Sequence, residues 1–531
     1  MDLGGRIVNR LGQMVTARSR HESVWRDAFD FSFPARSDGF YGEQMDASTI
    51  QDRYARLADS TAADAARTLV ASIQGGMTPA NTQWAANSVP DATDEEKSWL
   101  DEAATTQWKL IHASNFDSES VEAMTDILAG WFVLFIDEDR ERGGYHFTWW
   151  PMSQCYLAQS RAGGLVDILY RKYSLRAEQA VNAFDQPGDN LSRKVIETAE
   201  KEPDAPVEFV HAIYPRKGKP AGLMARNLPF ASVHVECSSK HVVRESGFHE
   251  QPFAAPRWNI IPNTSYGIGP MSVVLPDVRT LNELKRMQLA AADLAVSGMW
   301  IAEDDGVLNP RTVKVGPRKI IVANSVDSMK PLLSGSQFDV AFTNEERLQS
   351  AIRKGLMADA LPPVDAPTKT ATEYHVRLAM LRQLLGPLFG RLQAEYLKVL
   401  WERSFGLAFR AGAFPPPPKS LQGKIATVQY LSPLARAQKL EEVTAIERLF
   451  VSAAQASQIA LDAMDNIDTD EAIRITGDGL GVPNKVMRDK EAVAAMREER
   501  AKAQAKAQQQ EVMAPVVQEA GKAMAQTFTP A

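Results

Sequence analysis

From about Gly269 to Leu361 the chain reads as one long helix, a compact β-rich insert and a second helix running back, and few folds can absorb such a segment. In the first arm Val274, Val278, Leu281, Leu284, Met287, Ala291 and Leu294 recur at steps of three and four, the period of a single helical face. Pro270 suits the first turn and Gly298 the stop. A helix from Met271 to Gly298 would hold about 28 residues and reach about 42 Å, long for a globular protein. The return arm, about Val340 to Ala360, sets Leu348, Ile352 and Leu356 four apart, with Glu345, Glu346, Arg347, Arg353 and Lys354 on its other faces. Between the arms, Arg311 to Lys314 and Lys319 to Ala323 read as short strands separated by a turn at Gly316 and Pro317. Two helices with one narrow stripe each cover little of one another. Their remaining faces meet neighbouring copies, or the hairpin packs inside one large monomer; periodicity alone leaves both open.

At 531 residues the chain exceeds a single core, and about two to four domains are expected. An apolar fraction of 44% with 24% charged residues excludes wholesale disorder. The net charge of −7 argues against a protein that grips nucleic acid by neutralising phosphates, although one that lets DNA pass without holding it can be acidic. Cys155 and Cys237 are too few for a disulfide framework or a cysteine metal site, which fits folding in a reducing cytoplasm. The residues around Asp2, Arg6, Asn9 and Arg10 lack the apolar core of a signal peptide, and no uncharged apolar run reaches the roughly 18 residues of a membrane span. The expectation is a protein that is soluble when made.

Met1 to Phe33 is helical in period and stops at Pro34; a second helix is expected from Asp59 or Ser60 to Gly75 and Gly76, capped as helices usually are. Asp94 to Ala113 and Glu119 to Ala129 read as further helices. Trp131 to Ile136 is a continuous apolar run, hence a buried strand, and Gly143 with Gly144 marks a turn into a partner strand ending at Trp150. More strands are expected at Gln154 to Ala158, Val166 to Tyr173, Val207 to Tyr214, Ser232 to Glu236 and His241 to Glu245, interrupted by helices at about Leu175 to Phe184 and Leu191 to Glu200. Residues 1 to about 265 thus form an α+β domain. Leu361 to Thr370, with Pro362, Pro363 and Pro367, is a constrained loop. Thr370 to Glu373 has the spacing of a capping box and opens a helix to about Arg410, with a bend predicted at Gly386 and Pro387. Pro415 to Pro418 ends it, and Ile425 to Leu431 is expected to return as a strand to the first domain. After Pro433 the pattern is helical, and from Lys485 onward so polar that an isolated helix would be marginal.

Asp137, Glu138 and Asp139 are the densest acidic cluster, of the kind a two-metal nuclease needs. Beside Arg140, Glu141, Arg142 and the Gly pair they read instead as an exposed hairpin turn, and Glu303, Asp304, Asp305 and Gly306, which could hold a cation, as a solvated one. There is no phosphate-cradling Gly loop followed by Lys and Ser or Thr, no His-Glu-x-x-His pair and no nucleophile elbow, and the 8 histidines are scattered. No catalytic residue, metal ligand or cofactor is assigned, and the chain is expected not to be an enzyme. Arg311, Lys314, Arg318 and Lys319 give the insert a basic edge, either a solvated strand face or a docking surface for an acidic partner or passing DNA. Trp149 and Trp150 are expected in the core and Trp300 at an interface.

Five blocks, taken together, resemble the portal, or head-to-tail connector, proteins of short-tailed bacteriophages of the podovirus type: STAADAARTLVASIQGGMTPANTQW at 60–84, YGIGP at 266–270, TATEYHVR at 370–377, LGPLFGRLQAEYL at 385–397 and YLSPLARAQK at 430–439. They lie in the family's order, and the resemblance covers the chain to about residue 450. It implies an α+β portal fold: an α/β wing (1–265, completed by a long kinked helix and returning strand at 371–432), stem helices (266–298 and 336–358), a small β-rich clip (299–335), a tunnel loop (359–370) and a helical crown (433–531) whose tail is variable. About twelve copies would close into a ring at one capsid vertex of the virion, assembled in the host cytoplasm, with double-stranded DNA passing along the axis during packaging and ejection. The resemblance puts Asp359, Leu361, Pro362, Pro363, Val364, Asp365 and Lys369 in the channel. It puts Arg311, Lys314, Arg318 and Lys319 at the clip, where the terminase large subunit and later a tail adaptor protein would dock. Major capsid and scaffolding proteins would be further partners, with no membrane. The residues themselves leave two other readings open, a metal-dependent nucleic-acid enzyme and a capsid or scaffold protein that forms no ring.

Overall fold

The Asp2 carboxylate accepts the Gly5 N–H at 2.8 Å and starts helix α1 (Leu3–Asp30). Ile7, Leu11 and Met14 turn one stripe of α1 inward, while Arg6, Asn9, Arg10 and Gln13 stay outside. The computed structural model describes residues 2–41, 46–90, 92–139, 142–186, 188–218, 224–297, 299–302, 329–332, 338–358, 386, 388–421, 427–431, 433–457, 467–480, 482, 486–488 and 493–504. The chain divides into two units, one of 1–82 with 107–413 and the other of 83–106 with 414–531.

After α1 come α2 (Ala47–Ala55), α3 (Thr61–Met77), β1 (Ala85–Ser88), α4 (Asp94–His112) and α5 (Phe116–Thr125). In the first unit β2 (Leu134–Glu138) pairs with β3 (Tyr145–Trp149) across the expected glycine turn, with Gly143 and Gly144 at φ 75° and 96°. A 5-stranded antiparallel sheet follows, in the order β4 (Cys155–Ala158), β5 (Ile168–Arg176), β6 (Pro206–Pro215), β7 (Phe230–Glu236) and β8 (Val242–Phe248). Between β5 and β6 lie α6 (Ala177–Ala183) and α7 (Arg193–Lys201). The two-residue alternation of a strand sorts the sheet into two faces. Val210 and Ala212 of β6, with Ala231, Val233 and Val235 of β7, meet the α1 stripe. Phe209 and Val243 face the other way and pack on Ala180, Phe184 and Val195 of α6 and α7. Helix, sheet and helices make this unit α+β.

On that second face the cross-strand neighbours His211 and His234 stack, ring centroids 3.9 Å apart, beside Trp150 and Phe184. Each ring keeps one polar partner: His211 Nε2 meets Ser232 Oγ at 2.8 Å, and His234 Nδ1 meets the Tyr173 hydroxyl at 3.1 Å. Burial pushes His211 well below the ordinary 6.5, and pushes His234 down to about 3.

The strand β9 (Phe253–Ala254) returns to β2, and the short pair β10 (Asn259–Ile260) and β11 (Gly267–Ile268) leads into the long hairpin. Here backbone lies directly on backbone. A Cβ on Gly130 (φ 146°) would strike the Gly267 carbonyl, and one on Gly269 would strike the carbonyl of Leu128. The Gly269 N–H donates to Ala129 O at 3.0 Å, and the Trp25 indole donates to Gly267 O at 3.1 Å. Trp25, Trp131 and Tyr266 close round this junction with ring centroids 5.2–5.6 Å apart.

In the second unit β1 pairs antiparallel with a strand at Thr427–Tyr430, and Leu431 N–H donates to Trp84 O at 2.7 Å. Trp99 donates to Pro415 O at 2.9 Å, which ties down the start of the proline run. Helices Pro433–Ser457 and Thr469–Leu480 pack together, and Arg497 holds Asp470 through two bonds of 2.6 and 2.7 Å.

Several boundaries differ from the sequence reading for physical reasons. The apolar run from Trp131 is buried as expected, but β2 begins at Leu134, because Trp131 makes only an isolated bridge with Arg257. β5 continues to Arg176, taking residues expected to be helical, since Leu175 and Arg176 still pair with Val207 and Pro206. Helix α5 begins at Phe116 rather than Glu119 and runs into a 3-10 turn at Asp126–Leu128. α2 was not foreseen; it buries no residue and so has no apolar stripe to betray it. The bend expected at Gly386 and Pro387 and the helix opening at Thr370 fall on positions outside the described residues, apart from Gly386.

Two outcomes follow from this packing. Gly269→Ala should lower stability by about 2–3 kcal/mol, read as an earlier urea midpoint, because the intruding methyl meets backbone that cannot step aside; an unchanged midpoint would refute the contact. The histidine pair should make the fold acid-sensitive. Both folded-state proton affinities lie below the unfolded value, so the stabilisation is whole above about pH 6.5 and is lost progressively as pH falls below it, for His234 down to about 3. His234→Gln should flatten that slope in urea titrations, and equal slopes would show that the pair does not carry it.

Candidate functional site

Pro270 opens α8 (Pro270–Ser297), a helix of 28 residues in register with the sequence reading of Met271 to Gly298. Pro276 lies in its second turn, where it removes one backbone bond without ending the helix. The return helix is α9 (Phe338–Gly355). The two run antiparallel: Val274 meets Gly355 near the base, and Lys285 pairs with Glu345 further along. Just after α9, Met357 takes the left-handed conformation (φ 58°), strain of about 1 kcal/mol for a residue with a Cβ.

Burial divides α8 into two halves. Val274, Leu275, Val278 and Leu281 are covered, as are Ile352 and Leu356 opposite. Beyond them the same helix leaves Met287 61% and Leu289 64% exposed, and Phe342 of α9 is 56% exposed. Val273 on the outer side of the base is 71% exposed. Polar groups fix the base. The buried Asn282 accepts the Ala58 and Asp59 N–H groups at 2.8 and 3.3 Å, while its amide donates to Val278 O at 2.9 Å. Gln349 donates to Asp59 at 3.0 Å, Arg286 to the Arg56 carbonyl at 2.6 Å, and Arg279 pairs with Asp27 at 2.6 Å. At the tip, β12 (Met299–Ala302) pairs antiparallel with β13 (Met329–Leu332), strands the sequence reading did not assign.

A second clamp ties the entry to α8 to the helical segment 388–410. A π turn at Gln393–Leu397 precedes α10 (Lys398–Arg410), and it brings the consecutive residues Glu395, Tyr396 and Leu397 all inward. Glu395 grips Arg257 through both oxygens, at 2.6 and 3.1 Å, and also accepts the Arg257 N–H at 3.0 Å, all buried.

The residues assigned by resemblance to the channel, Asp359, Leu361, Pro362, Pro363, Val364, Asp365 and Lys369, lie outside the described residues, and so do the clip residues Arg311, Lys314, Arg318 and Lys319. The strands expected at 311–314 and 319–323, and the turn of Glu303 to Gly306, fall there too. Asp137, Glu138 and Asp139 sit at the end of β2 and in its turn: Asp139 caps the Arg142 N–H at 3.0 Å, and Asp137 lies 3.6 Å from Arg403. Among the described residues no three His, Cys, Asp or Glu side chains gather as a metal site, and no helix is long and apolar enough to cross a membrane. Trp150 stacks on Phe135 at 4.4 Å in the core, while Trp149 is half-buried, its indole donating to Asp126 at 2.8 Å. Sequence reasoning missed Asn282, Arg257 and Glu395. For Asn282 a signal existed: a polar residue four after Val278, on the apolar stripe itself.

The site is thus a helical hairpin anchored at its base to the α+β elements of its own unit, with the apolar side chains of its upper half open. Residues 5–487 match the family model described as bacteriophage head to tail connecting protein, and the chain belongs to that family, which is a structural and not an enzyme family. It is 28% identical to the portal protein of Salmonella phage epsilon15, covering 99% of this chain and 96% of the relative. To the "Probable portal protein" of Bordetella phage BPP-1 it is 26% identical, covering 95% of this chain and 92% of that one. Among solved structures it is similar to a chain of the virion of a native gene transfer agent particle, with TM-score 0.37 and 13% identity over 77% of this chain and 90% of that one. A chain in the neck of the native particle computed with C12 symmetry gives TM-score 0.35 and 13% identity over 76% and 89%.

Asn282→Ala should cost about 1–3 kcal/mol by leaving two N–H groups of the 56–60 loop without their acceptor. Limited proteolysis should then cut that loop faster, and an unchanged digestion pattern would show that the hairpin base is held by other contacts.

Proposed function

We propose that the protein is a phage portal: about twelve copies close into a ring at one capsid vertex, and double-stranded DNA passes through the ring on packaging and ejection. The observation that carries this is the uncovered upper half of the hairpin, with Met287, Leu289 and Phe342 standing in solvent on helices otherwise firmly anchored. Burying each such side chain against a neighbouring copy is worth about 1.5–3 kcal/mol. Membership of the head-to-tail connecting family and the full-length likeness to portal proteins support the same reading. In it, residues 1–265 with 371–432 form the wing, 266–298 and 336–358 the stem, 299–335 the clip, and 433–531 the crown. The 359–370 loop lies in the channel, where Asp359, Leu361, Pro362, Pro363, Val364 and Asp365 line the path and Lys369 makes passing phosphate contacts. Arg311, Lys314, Arg318 and Lys319 of the clip receive the terminase large subunit and then the tail adaptor protein. Capsid and scaffolding proteins are the remaining partners, assembly takes place in the host cytoplasm, and the chain carries no chemistry of its own.

Electron microscopy of the purified protein should show rings with an open centre, and Met287→Glu with Leu289→Glu should abolish most of them while leaving the circular dichroism spectrum unchanged. A monodisperse monomer at high concentration would overturn the ring, as would a copy number in the hundreds per particle. Removing residues 361–367 should leave rings intact and lower packaged DNA; normal packaging would place that loop outside the channel.

A further inference from the structure

α1 borders two clefts of similar size and opposite character. The one of about 800 Å³ carries cations and carboxylates that satisfy each other: Arg36 with Asp126 at 2.8 Å, Lys172 with Glu208 at 2.8 Å, and Arg18 with Glu22 at 2.7 Å. The other, about 780 Å³, lies between α1, the turn joining β4 to β5, and the 260–266 turn, and among the described residues has no Asp or Glu in its wall. In a chain of net charge −7 that is an uncompensated surface. α1 prepares it, because no acidic residue occurs from Leu3 to His21 while Arg6, Arg10, Arg18 and Arg20 do.

Arg10 and Arg161, from different elements, stand exposed at the rim, and neither has a carboxylate partner among the described residues. Arg10 lies over the Tyr170 ring at 5.7 Å, which steadies it without cancelling its charge. Arg257, deeper in, is neutralised by Glu395 at 2.6 Å. The floor is apolar, made by Met14, Leu157 and Tyr266, all buried, and Ile260 at the lip is 43% exposed.

We propose that this cleft is a docking site for an acidic peptide segment of a partner protein, one that also carries an apolar side chain. Two guanidinium groups with no carboxylate partner among the described residues can each take a carboxylate through paired N–H bonds, and the floor between takes the apolar residue. A nucleic-acid duplex fits less well, since its affinity comes from many phosphates each met by a cation, and here, among the described residues, two cations without a carboxylate partner flank an apolar hollow. The inference concerns the α1 cleft alone and holds whether or not the chain closes into a ring.

The full-length protein would be titrated with a fluorescein-labelled peptide of alternating Glu and Leu, followed by anisotropy. Binding that weakens with salt is expected, with at least an approximately tenfold loss in Arg10→Glu with Arg161→Glu. Arg20→Glu, on the same helix but outside the cleft, should bind as the unaltered protein does, and matched thermal unfolding would confirm that the variants fold. The proposal would be overturned by undiminished binding in the double variant, by equal affinity for a peptide with Gln in place of every Glu, or by a random-sequence DNA duplex that binds more tightly and loses its affinity in the double variant. An equal loss with Arg20→Glu would do so as well, because the effect would then be one of overall charge.

Discussion

The hairpin leaves the body at one point, where the backbone of residues 128–130 rests on that of 267–269 with no side chain between. Only glycine permits that approach, and the closeness lets carbonyl and amide groups find one another, as Ala129 O does with the Gly269 N–H. The Trp25, Trp131 and Tyr266 rings pack round the joint, so the direction of α8 is set by covalent geometry and close contact rather than by a flexible linker. A helix of 28 residues extends about 42 Å, and a small change of angle at its foot becomes a displacement of several ångströms at its tip. If the hairpin meets identical copies, as the portal reading has it, constancy of that angle matters more than the strength of any one contact.

Buried polar groups serve the same end. Arg257 and Glu395 exclude water from a pair that would gain little net stability by comparison with apolar residues, yet they admit only one geometry. Asn282 likewise fixes the height of the 56–60 loop on α8, because its oxygen can serve both amides in one register only. With so narrow an apolar stripe at the base, these bonds supply the specificity that a broad hydrophobic face would otherwise give. The π turn belongs to this arrangement. A regular helix could not bring three successive residues inward at Glu395 to Leu397 and still bury Leu400 and Trp401 in the next turn.

What could be read from the sequence was what long periodic segments declare. α1, α3 and α8 carry stripes over four or more turns, and their limits fall within a few residues of the pattern. β6 and β7, with one face under α1 and the other under Phe184, read as strands for the same reason. α2 and the pair β10 and β11 were illegible: the first buries nothing, and the others are two residues each. The glycines of YGIGP stood out, but their cause lay some 140 residues earlier at Leu128 and Gly130, beyond local reasoning. The proline-constrained segment and the basic edge could be read as patterns, but their channel and clip roles rested on resemblance alone, and these residues lie outside the described ones.

The split between covered and open halves of α8 bears on how assembly and folding are kept apart. The base stripe of Val274, Val278 and Leu281 is complete within one chain, closed by Ile352 and Leu356, so the monomer can form its core before it meets another copy. Above it the exposed Ala290 and Ala292 present little bulk beside Leu289, and small side chains let helices approach closely. On the portal reading, association would therefore add cover only where the monomer has none, and would leave the clamps at Asn282 and Glu395 undisturbed. On that reading the surface held in reserve is a narrow strip on the hairpin and not a part of its core.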